Sequence, residues 1–114
     1  MNLKLYKAFD HEMGEARSLF AAKEYNACFS HLERAHVLGQ RYLLPHLQSH
    51  CWMLRVGLTR RDRREIVGQI LRIFASFPGS LLGMAPRGNT GGANVSAYAK
   101  MDIPEDLQEF LGYR

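Results

Sequence analysis

Glu33-Arg34-Ala35-His36-Val37-Leu38-Gly39-Gln40-Arg41-Tyr42-Leu43-Leu44-Pro45-His46-Leu47-Gln48-Ser49-His50 is the stretch on which the reading of this chain turns. Residues three or four apart share one face of a helix, so Glu33 pairs with His36, and His46 with His50. Gly39 and Pro45 break the run between the two pairs. Glycine suits the left-handed position that ends a helix, and proline suits a first helical residue, where no amide donor is needed. The spacing predicts a helix over 25–38, a turn, and a helix that opens at Pro45 and runs back beside the first. His36 would then face His46 and His50.

Working outward, a helix is expected over 3–22, with Leu5, Ala8, Phe9, Met13, Ala16, Leu19 and Phe20 on one face. Glu12 falls inside that apolar face. Over 25–38, Tyr25, Cys28, Phe29, Leu32, Ala35 and His36 share a stripe, and Glu33 lies on its flank. After Pro45, the inner face reads His46, Leu47, His50, Met53, Leu54, Gly57 and Leu58, with Gln48 and Arg55 outside and Trp52 left to pack on a neighbouring element. Asp62-Arg63-Arg64-Glu65 has the spacing of a capping box, with Asp62 accepting from first-turn amides and Glu65 reaching back. The helix that follows turns Ile66, Val67, Ile70, Ile73, Phe74 and Phe77 to the core and stops at Pro78-Gly79.

From Gly79 to Ile103 periodicity fades and glycine accumulates, at Gly79, Gly83, Gly88, Gly91 and Gly92. No Walker loop and no dinucleotide-binding Gly-x-Gly-x-x-Gly is present. The reading is a glycine-rich strap, pinned by Met84, Val95, Tyr98 and Met101, whose Asn and Thr side chains satisfy nearby backbone. A ligand-binding loop is the other reading. A short helix from Pro104 to Leu111, closed by Gly112, ends the chain. The expected fold is all-α: four main helices in two antiparallel hairpins, then strap and C-terminal helix. Residues 1–78 form the helical domain, and 79–114 pack on it.

A chain of 114 residues with 46% hydrophobic and 23% charged residues can bury its own core, and disorder is not expected. No apolar run is long enough for a membrane span. The start carries Asp10, Glu12 and Glu15 in place of an apolar secretory block, so a cytoplasmic location is the expectation. Two cysteines, Cys28 and Cys51, make no disulfide framework. The net charge of +4 is uneven: Arg55, Arg60, Arg61, Arg63, Arg64 and Arg72 meet only Asp62 and Glu65, and Asp102, Glu105, Asp106 and Glu109 follow near the end. No aromatic residues interleave the arginines, so nucleic acid is not the expected partner. A solvated helix junction or a protein partner remains.

Imidazole inside an apolar stripe is costly unless it is hydrogen-bonded or coordinates an ion. His36, His46 and His50, with oxygen from Glu12 or Glu33, make a candidate metal site. That donor set suits zinc, iron, nickel or copper, not magnesium or calcium. The metalloprotease His-Glu-x-x-His is missing, and the Glu-x-x-His that a di-iron bundle needs twice occurs once. The competing reading is a structural His–Glu hydrogen-bond network within a helical-hairpin interaction module. Catalysis would need an open cleft, and no nucleophile–base pair stands out.

Two resemblances add to this. Lys23-Glu24-Tyr25-Asn26-Ala27-Cys28-Phe29-Ser30-His31-Leu32-Glu33-Arg34-Ala35 resembles the turn and second helix of a tetratricopeptide unit, and 61–78 is a looser second copy. More extensively, Glu33-Arg34-Ala35-His36-Val37-Leu38-Gly39-Gln40, His46, His50, Gly88-Asn89-Thr90-Gly91-Gly92-Ala93-Asn94-Val95-Ser96 and Ile103-Pro104 resemble a family of small bacterial proteins without an assigned function. Members of the family the chain resembles often occur in bacterial gene clusters concerned with heavy-metal resistance. The resemblance implies metal handling by association and assigns no ligand. Together these lead to the expectation of a cytoplasmic metal-binding accessory protein that coordinates an ion without turnover.

Overall fold

Asn2 opens the first helix by accepting the Leu5 amide on its side chain at 2.8 Å. The computed structural model describes residues 1–81 and 86–112, and the side chains of 77–81 lie outside that description. Among the described residues there are five helices and no strand: α1 (Leu3–Ala21), α2 (Tyr25–Gly39), α3 (Leu43–Arg60), α4 (Arg63–Leu81) and α5 (Glu105–Leu111). None is long and apolar enough to cross a membrane. α1 packs chiefly on α2, and α3 on α4, with α2 and α3 in contact between them.

The core is built from α1 (Leu5, Phe9, Met13, Ala16), α2 (Cys28, Leu32, Ala35, Val37, Leu38), α3 (Met53, Val56) and the C-terminal Ile103 and Leu107. Cys28 is the small buried hydrophobe its stripe implied, whereas Cys51 is exposed. Trp52 meets Phe20 edge to face at 5.5 Å, and the Arg55 guanidinium lies 4.7 Å from the Trp52 ring. α5 closes on α1 and α2 through Leu107 and through an ion pair between Arg34 and Asp106.

Several local expectations need correction. Gly39 ends α2 in a right-handed conformation, with Gln40 as its cap at φ −64°, so its value lies elsewhere. α3 begins at Leu43, two residues before Pro45, which still sits in the first turn where its missing donor costs nothing. α4 continues through Pro78 and Gly79 to Leu81. A proline removes one amide bond, a cost the last turn of a long helix absorbs. Asp62 accepts the Glu65 amide at 3.2 Å, half of the capping box, but the Glu65 side chain turns inward and does not reach back. Tyr98 is fully out in solvent and pins nothing, and Gly83 and Met84 lie outside the described residues.

The largest departure is α4. Of the six residues expected in the core, Val67, Ile70 and Phe74 face outward, joined there by Leu71; Ile66 and Ile73 are half-buried, and the Phe77 side chain lies outside the described residues. The side that faces in carries Glu65, Gln69 and Ser76, all buried. Hydrophobic periodicity locates a stripe but does not say whether the chain's own core covers it. Here the inward face is polar because it meets histidines and loop backbone, described next.

Candidate metal centre

The last turn of α2 and the first turns of α3 meet at Gly39. A Cβ on that residue would lie 2.8 Å from Pro45 Cβ and 3.0 Å from the Phe9 ring, so only glycine lets the helices approach this closely. His36 stands one turn before Gly39, and His46 and His50 stand one turn apart on the facing side of α3. All three are buried, to 3%, 7% and 2% exposure.

Their Nε2 atoms form a small triangle. His36 and His50 are 3.2 Å apart, His36 and His46 3.1 Å, and His46 and His50 2.9 Å. The rings are inclined at 51–68° to one another, arranged around a common point with their Nε2 atoms inward. Nitrogens at about 2.0–2.1 Å from one metal lie about 3.4 Å apart in tetrahedral directions and about 2.9 Å apart in octahedral ones. The three edges fall in that span.

The other side of two rings fixes their tautomers. His36 Nδ1 lies 2.7 Å from the Asn89 carbonyl oxygen, which only accepts, so that nitrogen carries the hydrogen. His50 Nδ1 lies 2.6 Å from Gln69 Oε1. The Gln69 amide nitrogen donates to Glu65 Oε2 at 2.7 Å and to the Gly91 carbonyl at 2.9 Å, so its oxygen must be the atom facing His50. His36 and His50, when neutral, therefore turn bare lone pairs toward each other. A hydrogen on His46 Nε2 can serve only one edge of the triangle. With the hydrogen of His46 moved to Nδ1, the three buried Nε2 atoms offer one ion three lone pairs, and the outward N–H groups of His36 and His50 are held by acceptors as a supporting shell.

Residues 86–104 build part of that shell. The Asn89 side chain accepts the Gly91 amide at 2.9 Å and donates to the Ser96 and Ala99 carbonyls at 2.8 Å each. This folds the segment around Asn89 and aims its carbonyl at His36. Gly91, at φ +85°, crosses the face of the same imidazole, where a Cβ would lie 2.5 Å from His36 Cδ2 and 2.8 Å from Nε2. α4 holds the segment from the other side: Glu65 Oε2 accepts the Ala93 amide at 3.0 Å and Arg72 donates to the Val95 carbonyl at 2.8 Å.

Burial sets the electrostatics. It pushes the His46 imidazole down to about 4 and, helped by neighbouring His46, the His50 imidazole down to about 3. His36 is held well below its ordinary value by burial first and then by His50 and His46. The three rings are thus neutral at physiological pH, the state in which imidazole coordinates metal.

Glu12 and Glu33, the two carboxylates expected beside the histidines, are not in the group that can share one ion, which comprises the three imidazoles among the described residues. Glu12 is buried, but its Oε1 is engaged by His31 Nδ1 at 2.7 Å and Arg34 Nε at 3.1 Å. It sits at the α1–α2 contact, away from α3, and its stripe position is explained by that ion pair. Glu33 lines a cleft of about 290 Å³ with Phe29, Arg60 and Glu65. Burial and then the nearby Glu65 raise its carboxyl above the usual range. Residue patterns did not single out Gln69; Asn89 fell among the strap side chains expected to satisfy nearby backbone, which its bonds to Gly91, Ser96 and Ala99 do, but its carbonyl contact to His36 was not foreseen. The one available signal was polarity at position 69 within an otherwise apolar helix, four residues after Glu65.

No curated protein and no solved structure matches the chain. A family model described as "Protein of unknown function (DUF3703)" matches residues 3–111. The chain therefore belongs to that family, across nearly its whole length.

Proposed function

We propose that this protein is a metal-binding accessory protein of the cytoplasm, in which His36, His46 and His50 hold one transition-metal ion through their Nε2 atoms. The observation that carries the reading is the Nε2 triangle, with edges of 2.9–3.2 Å, behind which His36 and His50 have their hydrogens committed outward. A metal-free arrangement leaves lone pair against lone pair on the His36–His50 edge. A cation bound by all three removes that repulsion and uses the depressed basicity of the buried rings.

Three neutral imidazoles suit zinc, iron, nickel or copper. Three protein ligands also leave at least one coordination position for water or another donor. Two buried side-chain oxygen atoms lack a hydrogen-bond partner among the described residues: Gln40 Oε1, one turn after His36 in sequence, and Thr90 Oγ1, between Asn89 and Gly91. Glu65, reaching His50 through Gln69, supplies a negative charge behind the ligand, with Gln69 and His50 between it and the ion. Glu33 beside it lends the cleft a further acid. On this reading the role of the three imidazoles is to hold the ion or pass it on. The likeness to proteins of heavy-metal-resistance gene clusters supports the same reading. The pairing of α1 with α2 and α3 with α4 supports two tetratricopeptide-like hairpins, with 86–104 as the strap that closes the site.

Elemental analysis of untagged protein, as isolated and after titration with each of the four metals, tests the proposal. It predicts close to one ion per chain. No metal on isolation and no uptake on titration would reject it in favour of a structural histidine network.

A further inference from the structure

α4 is amphipathic in the reverse sense. Its buried side is Glu65, Gln69 and Ser76, and its outward side carries Val67, Ile70, Leu71 and Phe74 at 57%, 41%, 64% and 81% exposure. These four fall at spacings of three, one and three residues and so make one stripe along one side of the helix. Leaving such a stripe in water forfeits the main driving force for helix packing. The inward face cannot be exchanged for it, because Gln69 holds His50 and Glu65 holds the Ala93 amide. The stripe exposes on the order of 450 Å² of apolar side chain, the size of the largest patch on an ordinary monomer, which is often an interaction surface.

We infer that the outer face of α4 is the interface of a two-fold dimer of this chain. The sequence of the stripe is self-complementary when read antiparallel. With the two-fold axis level with residue 69, Val67 meets the partner's Leu71, the two copies of Ile70 flank the axis one residue to either side, and Arg64 lies level with the partner's Phe74. That last pairing gives an exposed guanidinium an aromatic face. Arg63 and Arg64 are both exposed at the start of the helix. The two Arg64 positions are then separated by about ten residues of helix, roughly 15 Å, beyond the screening length at physiological salt. Like charges therefore do not oppose the pairing. The stripe supplies more than half of the roughly 800 Å² per partner of a standard interface, and the stems of Arg63 and Arg64 extend it. An isologous contact of this kind closes on itself, whereas an apolar stripe docking on a different surface of the next copy would propagate. The inference stands on α4 alone and does not depend on whether metal is bound.

Light scattering coupled to size exclusion, over a dilution series of the full chain, reads the assembly. The expected mass is twice the 13.0 kDa of the chain. Phe74→Glu and Leu71→Arg, each with helical circular dichroism unchanged, are expected to give monomer. Tyr98→Ser, at an exposed aromatic off the stripe, is expected to stay dimeric. Ile70→Cys in a Cys51→Ser background is expected to form a disulfide-linked dimer under mild oxidation, since the two copies of residue 70 flank the axis. A monomer at every concentration overturns the inference, as does a dimer that survives both stripe substitutions. A monomer that instead binds vesicles of anionic phospholipid through the same face overturns it too.

Discussion

Gln69→Leu separates a metal centre from a packing network. The Gln69 side chain is fully buried and makes three hydrogen bonds: from His50 Nδ1 at 2.6 Å, to Glu65 Oε2 at 2.7 Å and to the Gly91 carbonyl at 2.9 Å. Leucine fills much the same volume and makes none of them. Three lost bonds at about 1 kcal/mol each, with some added cost for the stranded Gly91 carbonyl, remove on the order of 3–5 kcal/mol of stability. Glu65 keeps the Ala93 amide, so its carboxylate is not left bare. A domain with about 5–15 kcal/mol in hand stays folded when cool, and far-ultraviolet circular dichroism checks that. His50 loses the acceptor that fixes its tautomer and ring orientation. Loss of such a supporting bond lowers metal affinity about 10- to 100-fold, or about 1.4–2.7 kcal/mol. Competition against a chromophoric chelator measures the ratio. Gln69→Glu is the companion variant: it keeps an acceptor for His50 but faces Glu65 with a second carboxylate. The account orders stability as wild type, then Leu, then Glu, and metal affinity as wild type, then Glu, then Leu. A folded Gln69→Leu protein with affinity within about twofold of wild type would refute the supporting role of Gln69.

Other consequences are simpler. His50→Ala should lose metal while keeping helical circular dichroism, whereas collapse of the fold with no change in metal content points to packing. Acid should destabilise the chelator-treated protein. Unfolded imidazoles titrate near 6.5, while His46 and His50 in the fold titrate at about 4 and about 3 and His36 also falls far below its ordinary value. The unfolded state thus takes up protons first, so stability is full above about pH 6.5 and falls as pH drops toward the folded values. At pH 5.5 the His46 and His50 rings together cost on the order of 3 kcal/mol, with His36 acting in the same direction, read as a lower urea midpoint, and a flat profile from 7 to 5 contradicts the burial of the three rings. Glu12→Gln should leave metal content unchanged and lower stability by about 1–3 kcal/mol, because its carboxylate serves Arg34 and His31. Loss of metal in that variant would bring Glu12 back to the ion.

The sequence made the three-imidazole meeting legible because it depends on short-range geometry: a four-residue step within α3, a turn, and a glycine at the crossing. Glu12 shows the limit of such patterns. Its place on an apolar stripe announced a buried charge, but which partner would neutralise it depended on how α1 lies against the flank of α2, where Arg34 and His31 stand. The supporting shell was harder still. His36 is oriented by a backbone carbonyl of Asn89, fifty-three residues away, and carbonyls carry no sequence signal. Gln69 looked like a polar interruption in an apolar helix. On α4, Val67, Ile70 and Phe74 were expected inside because a hydrophobic stripe is normally covered by the same chain; here the polar contacts to His50 and to residues 91–95 turn Glu65 and Gln69 inward and leave Ile66 and Ile73 on the half-buried flank.

X-ray absorption at the metal edge, on zinc-loaded protein, addresses the central claim most directly. The account predicts one ion per chain with three imidazole nitrogens at about 2.0–2.1 Å, reduced to two in each of His36→Ala, His46→Ala and His50→Ala. A shell without imidazole, or one unchanged by all three substitutions, would contradict it.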